Sequence, residues 1–186
     1  MYREHPTFGY LLLSKSPLVT PVEKQIVNQH HECQDGSGFP IGLTGQNLPP
    51  KKDVAREGKG QIYRLAEICS VADAFDNMVY NPNEDDLKAP DQAIKEIISK
   101  SGTVFNKDVV QTLLSVVPYY PIGAGIKVID IVDPNLIGCR GVVAKINKDN
   151  INKPVIILTH DKFLKKIKPS VIDTSRLKTI NLKLIV

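Results

Sequence analysis

The sequence has no run of eighteen or more apolar residues, so it offers no stretch long enough to cross a bilayer as a helix. Its opening, MYREHPTFGY, is too polar and too rich in ring residues for a secretory signal, and a cytoplasmic location is expected. Cysteine is scarce. Cys33, Cys69 and Cys139 are odd in number, far apart and never spaced CxxC, which excludes a disulfide framework and a zinc knuckle and leaves reduced thiols in packing roles. Aromatic residues are few, five Phe and six Tyr, and among the lysines of the C-terminal part only Phe163 is found. A stacking platform for single-stranded nucleic acid is therefore missing, which argues against a nucleic-acid partner. What remains is a chain of 186 residues, 42% hydrophobic and 24% charged, with enough apolar material for a core.

Charge and periodicity divide that chain. Residues 1–118 carry 12 Lys and Arg against 15 Asp and Glu, whereas residues 119–186 carry 12 against 5, a mildly acidic body followed by a basic segment. In the first part apolar residues recur at helical spacing, as in Val22, Ile26 and Val27 or Ile62, Leu65, Ile68, Val71 and Phe75, and about five helices are predicted. Thr20 before Pro21, Pro90 with Asp91, and Asn106 are the expected helix starts. After VVPYYPIGAG the period shortens. IKVIDIV, RGVVAKI, PVIILTH and TINLKLIV predict four strands of a small antiparallel sheet or barrel, separated by turns and a Lys-rich connection. The expected fold class is mainly α, with a helical domain over 1–118 and a small basic β module over 119–186. Between them in character lies the polar segment from Gly42 to Gly60, read as a surface linker between two helices.

Four histidines exist in the chain, and His5, His30 and His31 fall within its first thirty-one residues. Imidazole is the commonest neutral metal ligand, and adjacent helical histidines point about 100° apart, so His30 and His31 could serve two neighbouring ions or one ion and a substrate. Ordinary half-buried histidines bonded to carbonyls are the alternative. Asp73 is the misfit of IYRLAEICSVADAF, shares a helix face with Asp76, and is expected to be buried; its charge then needs a metal or a hydrogen-bonded partner, a salt-bridged or capping aspartate being the alternative.

These residues carry a specific resemblance. HHECQDGSGFPIGLTG followed by VADAFDNM is similar to the HD-GYP family of metal-dependent phosphohydrolases, whose pattern is HHE, two residues, DGxGYPxGLxG, then VADxFDAL. The match runs through His30, His31, Glu32, Asp35, Gly36, Gly38, Pro40, Gly42, Leu43, Gly45, Val71, Ala72, Asp73, Phe75 and Asp76, with Phe39 where the family has tyrosine. Upstream, EHPTFG resembles the family's HPxxG segment, and downstream GTVFNKDVVQTLL resembles its GxxFDPxVVxxF helix. The start of the β segment, PYYPIGAGIKV, fits the extension that some members carry.

The resemblance implies a bacterial second-messenger hydrolase that cleaves cyclic di-GMP with two or three transition-metal ions, iron or manganese. Carried over residue by residue, His5, His30, His31 and Asp73 are metal ligands. Asp35 is the catalytic acceptor that orients an imidazole or water, and the loop Gly36, Gly38, Phe39 and Pro40 contacts substrate or a docking signalling protein. Departures accompany the match. No HD dyad or HDxGK lysine precedes His5, so a complete binuclear centre is not encoded in this chain, which is expected to be either a fragment of a longer protein or a product that has lost half of its metal site. Where the family places basic groups after VADxFDAL, this chain has Pro82, Glu84, Asp85 and Asp86, with Lys88, or Lys51, Lys52 and Arg56 of the linker, as substitutes for binding substrate phosphate. Without the family's first helices, the apolar faces carrying Phe8 and Ile26 should lack cover, predicting self-association. Two readings stand: a cyclic di-GMP phosphodiesterase, and a non-catalytic module using its Phe39 loop for protein or nucleotide binding. The lysines of DKFLKKIKPS are read either as a phosphate-binding patch or as a solvated edge that discourages strand pairing.

Overall fold

The computed structural model describes residues 2–49, 60–80 and 87–185. They form five α-helices: α1 (His5–Ser14), α2 (Pro21–Gln29), α3 (Arg64–Tyr80), α4 (Pro90–Ser99) and α5 (Lys107–Val116). Five strands follow: β1 (Gly125–Ile131), β2 (Arg140–Lys145), β3 (Val155–His160), β4 (Lys166–Asp173) and β5 (Ile180–Ile185). With 38% helix and 22% strand, the expectation of a mainly α protein is corrected to a helical part plus a sheet of comparable weight. Part of the difference is a fifth strand that the sequence reading did not expect. β4 lies in the Lys-rich stretch read as a connection, where KIKPSVID hides its alternation behind lysines and Pro169. Proline is tolerated there because β4 is an edge strand, the sheet order being β4-β3-β2-β1-β5 with every neighbour antiparallel.

The chain packs as two compact units, residues 1–87 with 93–113, and residues 88–92 with 114–186. In the helical unit, α2 opens with a capping box: Thr20 Oγ1 accepts from the Glu23 amide at 3.3 Å while Glu23 Oε2 accepts from the Thr20 amide at 2.7 Å. Asn106 caps α5 with its side chain alone, Oδ1 accepting from the Asp108 and Val109 amides. Gly9 brings α1 against α2, since a Cβ there would stand 2.8 Å from Val27 Cγ1. Val71, Ile97, Phe105, Val109 and Val110 form one buried cluster, and Ile62, Tyr63 and Ala66 a second. Ile26 packs against that second cluster, so the expectation that its helix face lacks cover fails; the face of α1 does lack cover, with Phe8, Leu11 and Leu12 more than half exposed.

The expected linker is partly built. Thr44 pairs with Gln61, its amide reaching the Gly60 carbonyl and its carbonyl the Ile62 amide, and Asn47 ties the segment to Gly102 and Lys107. Lys51, Lys52, Arg56, Pro82, Glu84, Asp85 and Asp86 lie outside the described residues. No helix among the described residues is long and apolar enough to cross a membrane.

In the sheet unit, alternate residues of β1, β2, β3 and β5 face inward: Ile126, Val128, Val143, Ile156, Leu158, Leu182 and Leu184 close one core with Ile131 and Cys139.

Candidate metal centre

His5 begins α1, with Pro6 buried behind it. α2 ends at Gln29 and His30 is its C-cap, its amide still bonded to the Ile26 carbonyl. Because the chain leaves the helix here, His30 and His31 are not held at the angular offset of a continuing helix; their rings lie 4.2 Å apart and both face His5. His5 Nε2 is 3.2 Å from His30 Nε2 and 3.2 Å from His31 Nε2. Two ligands bound at ~2.1 Å to one ion stand about 3.0–3.4 Å apart at cis-octahedral or tetrahedral angles. The donor set therefore fits a transition metal: three imidazoles, soft enough for iron, manganese or zinc, whose ligand atoms all lie within 4.8 Å of one another.

Two contacts orient these rings. His30 Nδ1 donates to the Val27 carbonyl at 2.8 Å, which puts the proton on Nδ1 and leaves the Nε2 lone pair facing its neighbours. His31 stacks on Phe39, centroids 4.7 Å apart and planes 23° off parallel, and its carbonyl accepts from the Phe39 amide. Burial, and then the charge of nearby His30, push the His31 pKa down to about 4, with Asp73 opposing. His31 is thus neutral at pH 7, the form that binds metal.

The loop from 32 to 43 is held from below by Glu32, which is 2% exposed. Its Oε1 accepts from the Ile41 and Gly42 amides and its Oε2 from the Leu43 amide, replacing the water that a buried carboxylate loses. Gly38 has no room for a side chain, because a Cβ would fall on the Cys33 nitrogen and the Glu32 Cα. Phe39 and Pro40 are thereby presented beside His31. Arg3 lies over the Phe39 ring at 4.9 Å. A cavity of about 590 Å³ opens between Arg3, Thr7, Phe8 and the 38–42 segment, and another of about 300 Å³ is lined by His31, Phe39, Asp73, Asn77 and Phe105.

The remaining expected site residues fall differently. Asp73 is half-buried, not buried, and lines the smaller cavity with His31 while standing outside the three-imidazole group; Asp76 is exposed. Asp35 is not brought to the imidazoles. Its carboxylate accepts from the amide and hydroxyl of Ser37, contacts that hold its pKa below the usual range and shape the Gly36 turn. Lys88 folds with the sheet unit. The buried carboxylate of α3 is Glu67, which the motif reading passed over: Oε1 accepts from Gln34 at 2.6 Å and Oε2 from Asn106 at 2.9 Å. Gln34 Oε1 in turn accepts from the Asn47 amide, and Gln29 Oε1 from the Tyr63 amide. This network fixes the chain on either side of the histidines. No local pattern in the sequence marked it, because its members come together from far apart along the chain.

The HD domain family model matches residues 1–54. Among curated proteins, the chain is 34% identical over 113 residues to a cyclic di-GMP phosphodiesterase of Thermotoga maritima, covering 60% of this chain and 27% of the relative. It is 32% identical over 113 residues to the cyclic di-GMP phosphodiesterase response regulator RpfG of Xanthomonas campestris, covering 60% and 26%. A 3'3'-cGAMP-specific phosphodiesterase of Vibrio cholerae is 27% identical over 113 residues, covering 60% and 19%. The chain thus spans about a quarter or less of the length of these relatives. The HHE and VAD motifs, the converging histidines, the family-model match and these relatives together support an HD domain of the HD-GYP type in the helical part of the chain.

Proposed function

We propose that the helical unit is the part of a cyclic di-GMP phosphodiesterase that supplies three imidazoles and an α3 aspartate to its metal centre, other ligands coming from outside this sequence. The observation that carries the reading is the convergence of the His5, His30 and His31 Nε2 atoms, two of the separations being 3.2 Å. When bound, a transition metal supplies Lewis acidity, acidifying water and drawing charge from the phosphodiester. The chain's own residues do the positioning. The Val27 carbonyl fixes the His30 tautomer. Phe39 holds the His31 ring, and Glu32 holds the loop that carries Phe39. Asp73 adds negative charge to the cavity beside His31, favouring a cation there. In this reading the phosphodiester enters that cavity.

A second reading is favoured by one observation: the three-imidazole group contains no carboxylate. In it the domain holds metal without hydrolysis and engages a signalling protein through Gly38, Phe39 and Pro40. Metal analysis of the purified chain after anaerobic loading with ferrous or manganous ion separates the cases. We expect bound metal that His31→Ala abolishes and Asp73→Ala weakens. Metal that survives His31→Ala overturns the ligand assignment. Hydrolysis of cyclic di-GMP by the chain joined to an HD-bearing segment supports the first reading; retained metal without hydrolysis supports the second.

A further inference from the structure

The strand register sets one basic residue from each strand directly opposite the next. Lys166 of β4 pairs with His160 of β3, His160 with Arg140 of β2, Arg140 with Lys127 of β1, and Lys127 with Lys183 of β5. Directly opposite residues share a face: Lys127, Arg140 and Lys183 alternate with the buried Ile126, Gly141 and Leu182, and a register shift after Leu158 in β3 brings His160 opposite Arg140 in the same outward row. Like charges in cross-strand positions oppose sheet formation, and among the described residues none of these four cations forms an ion pair. Folding alone does not favour the row. Edge protection explains Lys166 and Lys168 on β4 but not Arg140 and Lys127 on interior strands.

The row runs into the β3–β4 turn, residues 161–165. There Phe163 is 78% exposed and Leu164 55%, and four of the seven residues from Lys162 to Lys168 are lysines. The turn is built, since Asp161 Oδ1 accepts from the Phe163 and Lys165 amides, which also engages the acidic group nearest the tip. Leu164 sits at φ 65°, where glycine would be at ease. A large apolar side chain thus occupies a position whose backbone does not want one and whose burial does not require it.

We infer that this face of the sheet unit, with Phe163 and Leu164 at its tip, is a peripheral docking surface for an anionic phospholipid bilayer. The lysines and Arg140 meet headgroup phosphates and carboxylates, and the two apolar side chains enter the headgroup–acyl boundary. A nucleic-acid partner would match the charge but has no use for the exposed aliphatic Leu164, and one exposed ring, Phe163 with Lys162 Nζ 5.1 Å over it, together with His160 of the row, does not make a platform on which successive bases stack.

The experiment is flotation of the full chain with phosphatidylcholine vesicles containing or lacking ~30% phosphatidylserine. Binding to the anionic vesicles alone is expected. Lys127→Gln with Arg140→Gln should weaken it by about fivefold per charge removed, whereas Lys15→Gln with Lys148→Gln, which removes two charges elsewhere, should change it far less. Leu164→Gly should weaken vesicle binding while holding or raising the melting temperature, an outcome that a purely structural role for Leu164 does not produce. Equal binding to neutral vesicles, equal losses from the two double variants, or binding to oligouridylate with no flotation would each overturn the inference.

Discussion

In the sheet unit nine apolar side chains close into one buried cluster, whereas the helical unit divides its apolar interior between clusters of five and three, with Ala93 and Ile94 buried besides, and shares that interior with Gln29, Glu32, Gln34, Glu67 and Asn106. The first arrangement is the ordinary solution to folding. The second carries costs that folding does not demand, because every buried polar atom must find a partner. What those partners achieve is placement. Glu32 holds the loop amides and Glu67 joins Gln34 to the start of α5. The helical unit buries polar groups where it builds a site, whereas among the described residues the sheet unit buries only Thr174 and Asp91 of its polar side chains.

The largest effects expected from this contrast come from removing what each unit relies on. Glu67→Ala strips an acceptor from two buried side-chain amides, about 1–3 kcal/mol for one left unpaired, and since Asn106 Nδ2 keeps the Leu48 carbonyl the helical unit should lose about 2–4 kcal/mol. Leu158→Ala should cost the sheet unit about 2–5 kcal/mol through the cavity it leaves. Calorimetry of the full chain would show each change in one transition and not in the other. A single transition shifted alike by both variants would erase the distinction between the units.

A smaller effect concerns pH. The folded pKa of His31, about 4, lies below the ordinary value of 6.5, so between those values the unfolded chain takes up a proton that the folded chain refuses. This contribution is intact above about pH 6.5 and is lost as pH falls toward 4. Metal-free protein should therefore show the helical transition weakening over that interval, with the sheet transition following a different course, and Phe39→Ala, which opens the ring to water, should flatten the dependence. An unchanged profile in Phe39→Ala would mean that burial under Phe39 is not what sets the His31 pKa.

The same contrast explains how much was legible in the sequence. Helix starts at Thr20 and Asn106 announced themselves because capping is a local transaction between a side chain and amides two or three residues on. The three histidines were legible as a group because the residue types are rare and metal-binding. Their convergence on one point was not, since it depends on α2 stopping at Gln29. Glu67 was illegible for a deeper reason: its partners, Gln34 and Asn106, lie 33 and 39 residues away, and no local pattern distinguishes a buried glutamate from an exposed one. Asp73 misled in the opposite sense, because small neighbours suggested an interior position where the helix instead borders a cavity. β4 escaped because an edge strand needs only one paired side and can spend its other positions on lysine and proline.

The smallest effect on stability, and the sharpest on association, belongs to α1. Phe8, Leu11 and Leu12 stand at i, i+3 and i+4, on one face of the helix, and are 62%, 53% and 71% exposed. The sheet unit has exposed apolar residues too, but on α1 they adjoin along one stripe, and contiguous apolar surface is what drives one copy onto another. Because these side chains bury little in the folded chain, Leu11→Ser with Leu12→Lys should alter the melting temperature by no more than a surface change does, about 0.5 kcal/mol in stability. Removing the stripe should nevertheless shift sedimentation from concentration-dependent association to a single monomeric species. If the unaltered chain is already monodisperse as a monomer at high concentration, the stripe is too small or too mobile to recruit a second copy, and the apolar economy of the helical unit is complete without one.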